Sequence, residues 1–174
     1  WKSSQPAMAA VDQNGNVKAI APGKLAITVT TESGKSASCN LLVGLRKGDV
    51  ITNGIYRYKV TNTMVDGSGE VEVIGFVKGR SAKKVSIPKS VAWNGIKYNV
   101  TSVGTRAFIK NKKIRNIVIP DSVRKIRHKA FYACPNVKKL TIGKNVSFMG
   151  AHAFCLNKKL EKIVFRGTKL KQLR

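Results

Sequence analysis

The stretch from Val100 to Thr168 is written three times, and that repetition constrains the chain more than any other feature. Ala107-Phe108, Ala130-Phe131 and Ala153-Phe154 recur at a spacing of 23 residues. Neighbouring columns keep the step: Val100, Val123 and Val146; Val103, Ile126 and Met149; Ile114, Val137 and Leu160; Ile117, Leu140 and Ile163; Ile119, Ile142 and Phe165. A fixed period of this length predicts a solenoid, in which no unit buries its apolar side alone and each stacks on the next. In every unit a short apolar run precedes Pro, Gly or Arg: Ile117-Val118-Ile119, Leu140-Thr141-Ile142 and Ile163-Val164-Phe165. These runs are the expected ladder strands. Side-chain alternation then turns their outer two residues into the core and leaves Val118, Thr141 and Val164 on the open sheet. The Ala-Phe pair falls in the opposite arm, as a second short strand or a helical turn, with Phe filling the centre. The column Asn111, Cys134, Asn157 is expected to point inward and satisfy backbone groups of the turn.

Upstream, Val85-Ser86-Ile87-Pro88-Lys89-Ser90-Val91 anticipates Ile117-Val118-Ile119-Pro120-Asp121-Ser122-Val123 at a step of 32, nine more than the period. The extra residues, Ala92 to Val100, hold Asn94-Gly95 between Trp93 and Tyr98, which predicts a hairpin insertion. Residues 44–99 also contain two strand patterns. Tyr56, Tyr58 and Val60 alternate with Ile55, Arg57 and Lys59, and Val71, Val73 and Val77 follow after Asp66-Gly67-Ser68-Gly69. This region is expected to be a β-rich linker and the N-terminal cap that a solenoid needs over its first apolar face. Asp66 and Glu70 lack the alternating acidic ligands of a calcium loop, so a polar hairpin loop is expected there.

Residues 1–43 read as four short strands, Ala7 to Val11, Val17 to Ile20, Ala26 to Thr31 and Ala37 to Val43. Asn14-Gly15, Pro22-Gly23 and Ser33-Gly34 separate them, the first as a two-residue hairpin turn. Trp1-Lys2-Ser3-Ser4, Ala10-Val11-Asp12, Ile27-Thr28-Val29-Thr30 and Gly34-Lys35-Ser36-Ala37-Ser38-Cys39 resemble the second half of a bacterial immunoglobulin-like group 2 domain. Because that resemblance starts in mid-domain, the chain reads as a fragment of a longer protein. The repeats carry a second resemblance. Val103-Gly104-Thr105-Arg106-Ala107-Phe108, Ile119-Pro120-Asp121-Ser122-Val123 and Ala130-Phe131-Tyr132-Ala133-Cys134 are similar to the BspA-type leucine-rich repeat of bacterial surface proteins, over about 85–174. Departures are Arg127 in place of a glycine, and Gly143 and Arg166 in place of the proline. The expected fold is therefore mainly β. A partial immunoglobulin-like β-sandwich (1–43) precedes the linker and cap (44–99) and a leucine-rich-repeat solenoid of three units and the start of a fourth (100–174).

The chain carries 33 basic and 8 acidic residues, net +25, and the excess is lopsided. Residues 1–83 hold 11 basic and 6 acidic side chains (11 − 6 = +5), and residues 84–174 hold 22 and 2 (22 − 2 = +20). Such asymmetry implies a polyanionic partner or a surface kept soluble by charge. The candidate basic stripe is Lys110, Lys112, Lys113 and Arg115, then Lys138 and Lys139, then Lys158, Lys159 and Lys162. Stacked about 4.8 Å apart, like charges would repel by on the order of 0.8 kcal/mol per pair in water. A regularly charged partner would relieve that repulsion. The stripe has neither interleaved aromatics nor a nucleic-acid reading motif.

Catalytic chemistry finds no support. Asp121 and Glu161 are the repeats' two acids and are too far apart in register for an acid–base pair. His128 and His152 fall in adjacent columns one repeat apart without a carboxylate or thiol partner, so exposed turn histidines are expected rather than a metal site. Nucleophile-elbow, zincin and phosphate-loop motifs are absent. Three cysteines without a CxxC spacing imply neither a disulfide framework nor zinc, and Cys39 and Cys155 are expected to be buried or half-buried thiols. No cofactor is implied, and no run approaches the roughly 18 apolar residues of a membrane helix. The resemblance implies an extracellular or cell-surface bacterial protein of the adhesin type. Its partner would be a host or neighbouring-cell surface protein or a matrix component, met at Val118, Thr141 and Val164. The alternative is an envelope-anchoring or polyanion-binding module for teichoic acid, acidic glycan or nucleic acid, and a bare structural stalk is a third.

Overall fold

The computed structural model describes residues 1–64, 69–168 and 172–173, and the chain divides into two compact units. Asp66, Gly67 and Ser68, read above as a hairpin loop, lie outside the described residues. The first unit is built on Trp1–Arg46. Its strands are β1 (Lys2–Ser3), β2 (Ala9–Val11), β3 (Val17–Ala19), β4 (Gly23–Thr30) and β5 (Ser36–Val43). β1, β4 and β5 form one antiparallel sheet, and β2 and β3 form a separate ribbon. Ala9, Leu25 and Ile27 make its core, with Met8, Val11, Leu41 and Val43 packed around them.

The turn at Asn14-Gly15 is wider than the two residues expected. Asp12 N–H donates to the Asn16 carbonyl at 3.1 Å and Gly15 N–H to the Asp12 carbonyl at 3.1 Å, closing a three-residue loop. Only Gly15 takes a positive φ (80°), so the loop is a turn followed by one left-handed residue and not the two that a type I′ turn needs. The Asp12 carboxylate decides this, because its Oδ1 accepts the N–H groups of both Asn14 and Asn16 at 2.9 Å. Donation from the Asn16 side chain, and then from its backbone, also holds the Asp12 carboxyl below its ordinary pKa. Thr31 to Lys35 repeats the same loop with Gly34 at φ 82°.

The second unit contains the repeats. Its strands are β6 (Val50–Asn53), β7 (Tyr56–Thr63), β8 (Gly69–Phe76), β9 (Lys84–Ser86), β10 (Ser90–Trp93), β11 (Ile96–Val103), β12 (Asn116–Val118), β13 (Lys125–Ile126), β14 (Lys139–Ile142), β15 (Phe148–Met149), β16 (Lys162–Phe165) and β17 (Gln172–Leu173). No helix occurs among the described residues. Two parallel ladders run up the solenoid. One is β9-β12-β14-β16, and the other is β11-β13-β15-β17, continued sideways through β8, β7 and β6. In the first ladder Ile117 pairs with Val85 and Leu140, and Leu140 with Ile163. The pairing of Ile117 with Val85 places the early Ile-Pro segment in register, and the intervening residues form the expected hairpin. β10 and β11 are antiparallel with Trp93 opposite Ile96, and Asn94 (φ 47°) and Gly95 (φ 79°) supply the two left-handed residues of a tight turn.

The apolar columns fill the core as the repeat pattern requires. Val100, Val103, Ile114, Ile117, Ile119, Val123, Ile126, Phe131, Cys134 and Val137 are wholly buried. Tyr56, Tyr58 and Val60 face inward on β7, and burial pushes the Tyr58 hydroxyl pKa well up. Val71 and Val73 do so on β8, but Val77 lies one residue past the strand's end. The third unit differs: Ile163 and Phe165 are 48% and 52% exposed, because no described residue stacks on the far side of β16.

The Ala-Phe arm is neither a strand nor a helix. It is a run of turns placed just after the short strands of the second ladder. Arg106, Lys129 and His152 take φ near 55°, and Lys110, Ala133 and Leu156 near 57°, so two left-handed residues per unit break any regular element. The turns are tied to one another instead. Arg106, Phe108 and Lys110 donate N–H groups to the carbonyls of His128, Ala130 and Tyr132 at 2.8–3.0 Å, and the pattern recurs from Lys129, Phe131 and Ala133. Phe108, Phe131 and Phe154 consequently stack, with ring centroids 5.0 and 5.3 Å apart and planes within 7°.

The Asn/Cys column does what its position implies, by three different routes. Asn111 Oδ1 accepts the N–H groups of Lys113 (2.9 Å) and Ile114 (3.2 Å) in its own turn. Asn157 Oδ1 accepts Cys134 N–H from the preceding unit at 2.9 Å. Cys134 Sγ donates to the Phe108 carbonyl at 3.1 Å, and burial pushes this thiol's pKa up. Cys39 and Cys155 overturn the expectation of burial, since both are exposed. Cys39 lies on the outer strand β5, and Cys155 follows Phe154 on the outer side of its turn. A thiol-specific reagent should therefore titrate two of the three cysteines in the native protein and reach Cys134 only after unfolding; rapid reaction of all three in the folded state would contradict this packing.

Candidate functional site

The four-stranded ladder presents an open face, and its register decides which side chains share it. Side chains alternate across a strand, so with Val85, Ile117 and Leu140 buried, their neighbours on either side point outward. One outward row is Ser86, Val118, Thr141 and Val164, and the next is Lys84, Asn116, Lys139 and Lys162. The three residues expected on this face are thus brought into one line. Val118 and Val164 are half-buried, whereas Thr141 is only 7% exposed. It contributes shape to the surface rather than area.

The basic stripe is less uniform than the spacing suggested. Backbone bonds stack Lys83, Arg115, Lys138 and Glu161 as one column: Arg115 N–H to the Lys83 carbonyl (2.7 Å), Lys138 to Arg115 (2.7 Å) and Glu161 to Lys138 (2.9 Å). Glu161 ends the run and pairs with the Lys138 ammonium at 3.2 Å. Pro135 and Asn136 stand between Lys112-Lys113 and Lys158-Lys159, so these lysines do not stack as like charges in adjacent units. Among the stripe residues only Lys139 and Lys162 are direct cross-strand cation neighbours in a ladder. Lys110, Lys158 and Lys159 are exposed on turns.

Lys112, Lys113 and Arg115 converge with Lys83, Ser81, Ala82 and Asn136 on a cleft of about 510 Å³. Asn136 Nδ2 fixes one wall by donating to the Lys112 carbonyl at 2.8 Å. None of the four cations makes an ion pair among the described residues. Lys83, Lys84 and Ser86 escaped the sequence reading, although the signal was present. The step of 32 that links Val85 to Ile117 also maps Lys83 onto Arg115 and Ser86 onto Val118.

His128 and His152 do come together, with ring centroids 6.0 Å apart and Tyr132 6.5 Å beyond His152. No group of three metal-ligating side chains forms among the described residues.

Comparison with known proteins agrees with this geometry. The family model described as the BspA type leucine rich repeat region matches residues 76–173 in six copies, and that of the bacterial Ig-like domain (group 2) matches residues 1–41. Two uncharacterized proteins of Clostridium acetobutylicum are similar. One is 34% identical over 37% of this chain and 16% of its own length, the other 28% identical over 71% and 12%. Among solved structures, a leucine rich cell surface protein of Faecalibacterium prausnitzii A2-165 shares 27% identity at a TM-score of 0.55, over 66% of this chain and 30% of that one. The pneumococcal vaccine antigen PcpA shares the fold, at 22% identity and a TM-score of 0.50, over 70% of this chain and 39% of its own. The chain thus spans well under half the length of each of these relatives.

Proposed function

From the chain's membership of the BspA-type leucine-rich repeat family, we propose that it is a non-enzymatic part of a bacterial cell-surface or secreted protein of the adhesin type. The repeat solenoid serves as its protein-binding platform. The observation that carries this reading is the register of the four-stranded ladder, which aligns Ser86, Val118, Thr141 and Val164 beside Lys84, Asn116, Lys139 and Lys162 on a single open sheet face. A flat, partly apolar surface with a basic border suits a protein partner that presents apolar and acidic side chains. Similarity to a Faecalibacterium cell surface protein supports the location, and the N-terminal immunoglobulin-like unit suits a spacer. The partner is a surface protein of a host or neighbouring cell, or a matrix component.

The test is binding of the chain to a panel of immobilised matrix and cell-surface proteins. Val118→Asp together with Val164→Asp should weaken binding by roughly thirtyfold, as loss of a central anchor does, and should leave the circular dichroism spectrum intact. Undiminished binding by the double variant would rule out this face.

A second reading is favoured by the cleft of Lys83, Lys112, Lys113 and Arg115, which no carboxylate answers among the described residues. On that reading an acidic polymer such as teichoic acid lies against it and helps hold the protein to the envelope. Neutralising about four phosphates should weaken binding roughly a hundredfold between 50 and 200 mM salt. Lys112→Glu with Lys113→Glu should abolish binding to a purified teichoic acid. If the affinity proves insensitive to salt, the polymer reading is wrong.

A further inference from the structure

The basic cleft does not end at the residues that line it. Lys83 and Arg115 begin a column that Lys138 and Glu161 continue. The next residues in sequence, Lys84, Asn116, Lys139 and Lys162, are the outward basic row of the sheet face. One set of carbonyls holds both lines. Lys83 accepts the N–H groups of Arg115 (2.7 Å) and Asn116 (3.1 Å), Arg115 those of Lys138 (2.7 Å) and Lys139 (3.3 Å), and Lys138 those of Glu161 (2.9 Å) and Lys162 (3.0 Å). The column and the row thus climb the solenoid together as a rim at the N-terminal ends of β9, β12, β14 and β16. Over these four strands the rim runs about 14 Å, three strand spacings.

All eight rim residues are exposed, and six are cations against one carboxylate. That carboxylate, Glu161, belongs to the last coil and pairs with Lys138 at 3.2 Å. The other five cations make no ion pair among the described residues. Backbone bonds fix their spacing, so they cannot spread apart to lessen their mutual repulsion. A partner whose negative charges are linked in a line relieves all of them at once, whereas a single acidic side chain answers one. No aromatic residue stands on the rim, so nucleic-acid bases have nothing there to stack on.

We infer, on the basis of the acidic-polymer reading above, that the cleft and the basic row are one binding track. A single chain of glycerol-phosphate polymer runs from Lys112 and Lys113 in the cleft, along the rim, to Lys139 and Lys162. Lysine meets each phosphate as a point charge, so a flexible polyester can settle along the track without one fixed pose. Glu161 marks the coil at which the attraction falls off. A polymer in this position also covers the border beside Thr141 and Val164, so it competes with a protein partner for the sheet face.

Lysine footprinting of the whole chain tests this. An amine-acetylating reagent is applied with and without purified polyglycerol phosphate, and each lysine is read by mass spectrometry. Lys84, Lys139 and Lys162 should be protected as strongly as Lys112 and Lys113, whereas Lys125 on β13 and Lys144 beyond the end of β14 should react as before. Seven contacts in place of the cleft's four should weaken binding by roughly a thousandfold or more between about 50 and 200 mM salt. Lys139→Gln with Lys162→Gln should reduce that factor about tenfold. Protection confined to Lys112 and Lys113 would keep the polymer in the cleft and overturn the single track. Equal protection of Lys125 and Lys144 would overturn it as well, since attraction would then be general to the basic surface. Binding that protects no lysine and ignores salt would remove the polymer reading itself, and the track with it.

Discussion

Phe131→Ala is expected to lower the stability of the repeat unit by about 3–5 kcal/mol, the range for truncating a fully buried aromatic. Phe131 is wholly buried and lies face to face between Phe108 at 5.0 Å and Phe154 at 5.3 Å. Its removal leaves a cavity at the centre of the stack, and the surrounding turns have little freedom to close it. They are held by inter-unit backbone bonds, Phe131 N–H to the Ala153 carbonyl and Phe108 N–H to the Ala130 carbonyl, both 2.8 Å. A solenoid's stability is a sum of unit and interface terms, so a central unit loses two interfaces at once. Phe154→Ala should cost clearly less, because Phe154 is only half-buried. Urea unfolding followed by circular dichroism checks the ranking, and equal losses from the two variants would mean that the stack is not the centre of the core.

Gly143→Ala is expected to cost about 1–3 kcal/mol, the range for overpacking. A Cβ at Gly143 would run into the Pro120 carbonyl oxygen and sit 2.8 Å from Asp121 N. Both neighbours are backbone and cannot swing aside as a side chain can. Periodicity alone points the other way, since the same column holds Pro120 one unit earlier and Arg166 one unit later, each with a Cβ. Tandem unfolding curves of Gly143→Ala and of Asn136→Ala, a cleft-wall change, would separate a steric cost from a lost hydrogen bond. A Gly143→Ala protein as stable as its parent would show that the Pro120 turn yields more than this geometry allows.

That contrast marks the limit of a repeat pattern as evidence. The pattern puts Val118, Thr141 and Val164 at one register position, because alternation along a strand is a local property. It overestimates the exposure of Thr141 and the uniformity of the lysine stripe, because both depend on what stands in the adjacent coil. Glu161 and Asn136 interrupt the stripe only once the coils are stacked. The ion pair of Glu70 with Arg124 was illegible for a related reason. Its partners come from β8 and the approach to β13, and they meet across 54 residues of sequence.

By itself the sequence determined the solenoid, its buried columns, the hairpin at Asn94-Gly95 and the family, because each follows from the spacing of apolar residues or from the conformational preference of a short turn. Only the tertiary structure decided the loop that Asp12 widens, the exposure of Cys39 and Cys155, and the convergence of Lys83 with Lys112, Lys113 and Arg115. These turn on which groups face one another across non-adjacent coils and on which remain without a partner once packing is complete. Neither is a property of any segment taken alone.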